Sequence, residues 1–347
     1  MYIKKILLTI VFLGLIVAGY FAYFVYSTMF TPNTTFNNDK AYIYVKSTDS
    51  YTDVREQLEP LLKDINKFDV LAERKKYVDN VKAGRYEIKS GMNNNDIINS
   101  IRSKNLPITV SFNNQETLEK LAGRISNQIE ADSVSLLLAM KDTSFLSENK
   151  FNKATALGMY LPNSYEFFWN TSAEEFRNRM LKEYQRFWSD TRVKKANEIG
   201  LTPNQVIALA SIVYEESKQA SEQPRIAGVY MNRLKIGMPL QADPTLKFAA
   251  YQLPKYKNTV IKRVLNVHKE IDSPYNTYKN LGLPPGLIAM PDISAIDAVL
   301  NYEKHKYLYF AADAKRFGFH KFAKTLAQHN VNAREYHRYL SAQGINR

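Results

Sequence analysis

The chain has 347 residues, no cysteine and a formal charge of +13. Its 45% hydrophobic and 12% aromatic content supports a sizeable core and more than one domain, and excludes wholesale disorder. The missing cysteines exclude disulfides, cysteine-ligated zinc and thiol catalysis, while the charge favours an anionic partner: an acidic membrane, an acidic polymer or nucleic acid.

The first element is residues 6–26, ILLTIVFLGLIVAGYFAYFVY, an uncharged run long enough to cross a bilayer as a helix. Lys4 and Lys5 precede it, and no Lys or Arg follows until Lys40. That asymmetry predicts a retained single-span anchor in the cytoplasmic (inner) membrane, with residues 1–5 in the cytoplasm and the rest outside. A cleaved signal peptide is the alternative. The run closes on Tyr20, Phe21, Tyr23, Phe24 and Tyr26, which suit a membrane interface better than a small-residue cleavage site.

Residues 27–39 are polar and read as a linker. Residues 41–47 alternate as a strand, and Ser50 or Asp49 caps a helix over 51–64. A second helix is expected over 68–81, then strand, turn and helix over 84–104. Asn94 or Asn95 begins that last helix, with Ile97, Ile98 and Ile101 facing inward. These elements make a small α+β domain over 40–105, with no catalytic constellation.

The remaining residues, 106–347, form a larger α+β region. A strand is expected over 108–114, helices over 115–130 and 132–141, and an irregular aromatic segment over 158–169. One long amphipathic helix or two follow over 172–200, with Ser172 as cap. Thr202 caps the next helix, over 202–217, with Pro203 at its first position. Pro224 opens a helix over 225–235, and 238–246 and 273–292 read as loops. A helix over 294–303, a strand over 307–313 and a helix over 324–343 complete the chain.

The helix over 202–217 ends in two carboxylates, Glu215 and Glu216. Residues three, four and seven apart share a helical face. Glu216 shares its face with Leu209, Ile212, Val213 and Ala220; Glu215 shares a more polar one with Ala208, Ser211, Ile212 and Gln219. Glu216 is therefore the inward candidate. Among apolar neighbours a carboxyl holds its proton longer and can serve as a general acid. The competing reading is a helix-end glutamate that reaches solvent or pairs with Lys218 or Arg225.

Other chemistries lack their patterns. The five histidines include no HExxH pair, and there is no GxSxG, P-loop or GxGxxG, so no metal and no cofactor is expected. The basic residues are dispersed and no zinc-finger or RNA-binding signature occurs, so nucleic acid is not expected as a partner. What remains is a carboxylate helix beside aromatic and amide-rich loops. Tyr275, Asn276, Thr277 and Tyr278, with Asn232, Gln241 and Asp243, offer the ring faces and hydrogen bonds that sugars need. Ser217 lines a cleft or bonds within its helix. A proline-set turn with packing tyrosines explains SPYNTY equally well.

At these residues a resemblance appears. LASIVYEES, GVYMNRL with MPLQADPT, SPYNTY with GLPPG, then YLYF, GFH and QHN occur in order within residues 158–335. The chain resembles the MltG (YceG-like) family of endolytic murein transglycosylases. Residues 40–105 resemble its LysM-like N-terminal region more loosely. The resemblance implies cleavage of the β-1,4 bond after N-acetylmuramic acid in nascent peptidoglycan, leaving 1,6-anhydro ends and terminating glycan polymerisation. It implies Glu216 as the one acid and base, peptidoglycan strands as substrate, and peptidoglycan synthases as partners. The rival from another class is a non-catalytic peptidoglycan-binding scaffold for those synthases. Two segments depart from the family pattern. Leu157 and Asn163 stand where acidic residues are usual, and Met290-Pro291-Asp292 where Asn-Pro-Gly is usual.

Overall fold

The computed structural model describes residues 2–256, 259–261 and 263–343. Met1, the residues Lys257, Asn258 and Lys262 of the basic stretch KYKNTVIKR, and the last four residues lie outside the described residues. Two compact units are present. The first comprises residues 1–110, 128–131 and 165–172, the second 111–127, 132–164 and 173–347.

The first unit opens with helix α1 (Tyr2–Met29), long and apolar enough to cross a membrane. Large side chains from Ile3 to Tyr26 stand exposed along it. It outruns the charge-free stretch at both ends, and its last turn is held by protein: Asn94 donates to the Thr28 carbonyl at 2.8 Å. The following stretch has no helix but is seated. Asn33 donates to the Asp64 carbonyl (2.9 Å) and to the Asn94 side chain (2.7 Å), and both Asn33 and Thr34 are buried.

Strand β1 (Lys40–Val45) pairs antiparallel with β2 (Gly84–Lys89), Ile43 opposite Tyr86. Alternation puts Ile43, Val45, Tyr86 and Ile88 on the buried face. Helices α2 (Tyr51–Leu58), α3 (Ile65–Arg74) and α4 (Asn94–Ser103) supply Val54, Leu58, Phe68, Leu71, Ile97, Ile98 and Ile101 to the same core. Helix α2 stops short of its expected end because the chain tightens into a turn at 59–61 around Pro60. Helix α3 starts early because Asp64 accepts from the Lys67 amide at 3.1 Å. Asn93, one residue before the expected start, caps α4 by accepting from the Asp96 amide. Strand β3 (Pro107–Phe112) pairs with β4 (Asn163–Phe168), a strand where the sequence suggests irregular structure.

The second unit begins with α5 (Leu118–Ser126), α6 (Ser133–Met140) and α7 (Thr143–Glu148). The unforeseen α7 is started by Asp142, which accepts from the Ser144 and Phe145 amides. The long amphipathic stretch proves to be two helices, α8 (Ala173–Phe187) and α9 (Asp190–Glu198). Helices α10 (Pro203–Glu216), α11 (Gln223–Lys235), α12 (Asp243–Tyr251), α13 (Asn266–Lys269) and α14 (Ile293–Leu300) follow. Helix α12 begins where the sequence suggests loop; Pro244 occupies its first turn, where a missing amide hydrogen costs nothing. Strands β5 (Tyr309–Ala312) and β6 (His320–Ala323) form a hairpin, Phe310 opposite Phe322, against which α15 (Leu326–Ala342) packs. The fold is thus α+β: helices with three two-stranded sheets among the described residues.

Candidate active site

Helix α10 is the centre of the second unit. Its start is fixed by Thr202, whose hydroxyl accepts from the Gln205 amide while the Gln205 side chain accepts from the Thr202 amide. Every residue from Val206 to Val213 is buried, so over these two turns the helix is enclosed on every side. Helices α11, α12 and α14 pack around it. It ends at Glu216, and Ser217 turns into extended backbone.

The two glutamates part as their faces predict. Glu215 is exposed and bonded to Lys218 at 2.8 Å. Arg225 is engaged elsewhere, by Glu303 at 2.9 Å. Glu216 turns inward and accepts from the Tyr230 hydroxyl at 2.7 Å. Ala220 does not extend its face, because the helix has ended and Ala220 is exposed.

Burial drives the Glu216 carboxyl up to a pKa of about 7. The Tyr230 hydrogen bond opposes this, the nearby Asp243 charge adds to it, and His320 and Arg233 pull it back slightly. A carboxyl at a helix C-terminus also faces the negative end of the helix dipole. Near neutrality, both protonation states are therefore populated.

Glu216 opens on a cleft of about 300 Å³ lined also by Tyr230, Arg233, Gln241, Asp243, Tyr278, Tyr309, Phe310 and His329. Asp243 accepts from the Tyr278 hydroxyl at 2.6 Å, which joins α12 to the 273–278 loop. Arg233 is anchored by the carbonyls of Leu308 and Leu240, both at 2.7 Å, and burial lowers its pKa. The Tyr309 ring stacks on His329 at 5.4 Å. Burial pushes the His329 pKa down, and the adjacent Arg233 adds to that. Behind the cleft, buried Glu222 holds His320: its carboxylate meets the His320 backbone amide at 2.9 Å and Nδ1 at 2.8 Å. Among the described residues no three metal-ligating side chains cluster.

Of the residues expected to touch substrate, Gln241, Asp243 and Tyr278 line this cleft with Glu216. Gln241 sits at φ 49°, its amide bonded to the Thr277 carbonyl. The other five are not in its lining. Ser217 is buried, and its carbonyl accepts from Gln223. Asn232 ties α11 to the carbonyls of His305 and Tyr307. Tyr275 packs on Phe248 at 4.6 Å. Asn276 is fully buried and braces its own loop through the Lys269 and Ile271 carbonyls. Thr277 accepts from the Ala242 amide and meets Thr245 at 2.9 Å. Tyr275 is thus held by a ring contact, and the polar groups of the other four are bonded to neighbouring backbone or side chains.

Tyr230, Arg233, Tyr309, Phe310 and His329 are not among the expected site residues. Tyr230 and Arg233 are three apart on α11, a spacing that signals one shared face. Tyr309 and Phe310 alternate on a short strand with little periodicity to read.

The profile of the YceG-like family matches residues 43–335. A Bacillus subtilis protein named endolytic murein transglycosylase is 32% identical over 272 residues, covering 73% of this chain and 72% of the relative. A Streptococcus pneumoniae protein of the same name is 28% identical over 299 residues, 78% of this chain, which spans 53% of that longer relative. A crystal structure of a yceG-like protein from Listeria monocytogenes aligns over 85% of this chain and 99% of its own, with a TM-score of 0.56 and 28% identity. On the breadth of these matches, the chain belongs to the YceG-like family.

Proposed function

We propose that this protein is an endolytic peptidoglycan lytic transglycosylase in which Glu216 is the single acid and base. The observation that carries the reading is one carboxyl, tuned to about 7, at the head of a cleft with tyrosine and phenylalanine walls. The names of the relatives support the substrate class.

In the reaction, protonated Glu216 gives its proton to the glycosidic oxygen between N-acetylmuramic acid and N-acetylglucosamine, and that bond breaks. The resulting carboxylate takes the proton of the muramic acid 6-hydroxyl, whose oxygen bonds to the anomeric carbon. The products are a free 4-hydroxyl and a 1,6-anhydro end. An intramolecular nucleophile needs no second carboxylate to position water, as ordinary glycosidases do. The Tyr230 hydroxyl steadies the ionised form, and Asp243 keeps the pKa high enough for the acid step.

Helix α1 is proposed as a single-pass anchor with the remainder on the extracytoplasmic side, where nascent strands lie. The unit built on β1 and β2 is proposed as LysM-like, and strand termination beside synthases as the role. The test is incubation with uncross-linked glycan strands and mass spectrometry of the ends. Anhydro-ended internal fragments, lost in Glu216→Gln and retained in Glu215→Gln, are the expected result. Binding without cleavage by the wild type would overturn the proposal.

A further inference from the structure

The second unit holds a larger cavity, about 550 Å³, that none of the chemistry above uses. Its lining is of a different kind from the cleft beside Glu216. Asn113, Asn114 and Asn163 bring amides, Ser164 a hydroxyl, and Arg124 and Asp292 opposite charges. Phe112 lies in its wall but is 4% exposed, so it offers almost no ring face.

The amides are held in place. Asn114 donates to the Met290 carbonyl at 3.0 Å, and the Met290 amide donates to the Gln115 carbonyl at 3.0 Å. Gln115 in turn donates to the Asn113 side chain at 2.9 Å, and Asn163 accepts from the Ser164 amide at 2.8 Å. The same 288–292 segment reaches the Glu216 helix: the Ile288 amide donates to Ser211 at 3.1 Å, and Asp292 lies close enough to Tyr214 to act on its hydroxyl. The cavity is thus braced against the helix that carries the catalytic carboxyl.

Sugar rings are neutral and need aromatic faces, which the cleft beside Glu216 supplies through Tyr278, Tyr309 and Phe310. The larger cavity lacks them. Side-chain amides match the donor and acceptor pair of a peptide bond, and opposite charges in one lining match a ligand that carries both a carboxylate and an amine. Within peptidoglycan the glycan also carries acetamide groups but no free amine, so amides and opposite charges together match the peptide stem. Resting on the transglycosylase reading, we propose that the cavity lined by Asn113, Asn114, Asn163, Ser164, Arg124 and Asp292 is a subsite for the zwitterionic peptide stem of the strand being cut.

Asn163→Leu with Ser164→Leu removes polar groups at two exposed positions, so folding is little disturbed. The full chain in detergent is titrated calorimetrically with a synthetic stem pentapeptide that carries no sugar. Saturable binding is expected for the wild type and for Glu216→Gln, with affinity at least about tenfold weaker in the double variant. In parallel, cleavage is followed on strands with their peptides and on strands stripped of them by an amidase. The double variant should raise KM about tenfold on peptide-bearing strands only, leaving kcat unchanged. No peptide binding by the wild type, or equal losses on both kinds of strand, overturns the subsite. If peptide binds but no strand is cut, the transglycosylase reading fails and the subsite stands.

Discussion

Glu216→Gln removes the proposed catalyst and should leave a more stable protein at alkaline pH. The side chain keeps its shape and still accepts from Tyr230, but can no longer ionise. In the wild type, burial raises the Glu216 pKa from 4.5 to about 7. The folded state therefore binds this proton more tightly than the unfolded chain, and stability falls as pH rises from about 4.5 to about 7. Each tenfold gain in proton affinity corresponds to about 1.4 kcal/mol, so ionised Glu216 costs the fold on the order of 3 kcal/mol at pH 8. The glutamine variant escapes that cost. Thermal unfolding of both proteins in detergent at pH 4 and pH 8 reads the difference. At pH 4 the two should melt together. At pH 8 the variant should melt roughly 5–10 °C higher, given a domain of this size. A variant that melts lower at pH 8, or a difference independent of pH, would refute the burial argument.

Activity should fall above about pH 7, because the proposed first step needs protonated Glu216. Tyr230→Phe removes the hydrogen bond that lowers this pKa and should move the alkaline limb of the kcat/KM profile upward by roughly half to one pH unit. Asp243→Asn removes a charge that raises it and should move the same limb downward. Gly286→Ala should destabilise by about 2 kcal/mol or more in a denaturation series, since its new methyl would collide with the Ala154 carbonyl. Gly200→Ala, at φ 75° with open space around it, should cost only about 1 kcal/mol through its backbone.

The helix that carries Glu216 is legible in the sequence because three local signals agree on it. Thr202, Pro203 and Gln205 fix its start, its apolar run fixes its burial, and the spacing of Glu216 from Leu209, Ile212 and Val213 fixes its inward face. The pairing of Lys218 with Glu215 rather than Glu216 follows from the same spacing. The cleft walls are less legible, because they depend on which partner each polar group finds. Asn276 and Tyr278 stand two apart in one loop, yet Asn276 is consumed by carbonyls beneath it while Tyr278 reaches Asp243. Nothing in SPYNTY distinguishes them. Short elements escape for a related reason: β4 and β6 take their order from a paired strand rather than from their own few residues, and α7 is a single capped turn and a half.

One carboxyl, Glu216, is proposed to perform the cleavage with the sugar's own hydroxyl as nucleophile. The most direct measurement is strand cleavage in heavy-oxygen water, with mass spectrometry of the new muramic acid ends. Anhydro ends free of heavy oxygen are expected, and they should disappear in Glu216→Gln. Reducing ends labelled with heavy oxygen would mean that a positioned water attacks in place of the 6-hydroxyl, and would rule out the single-carboxyl mechanism.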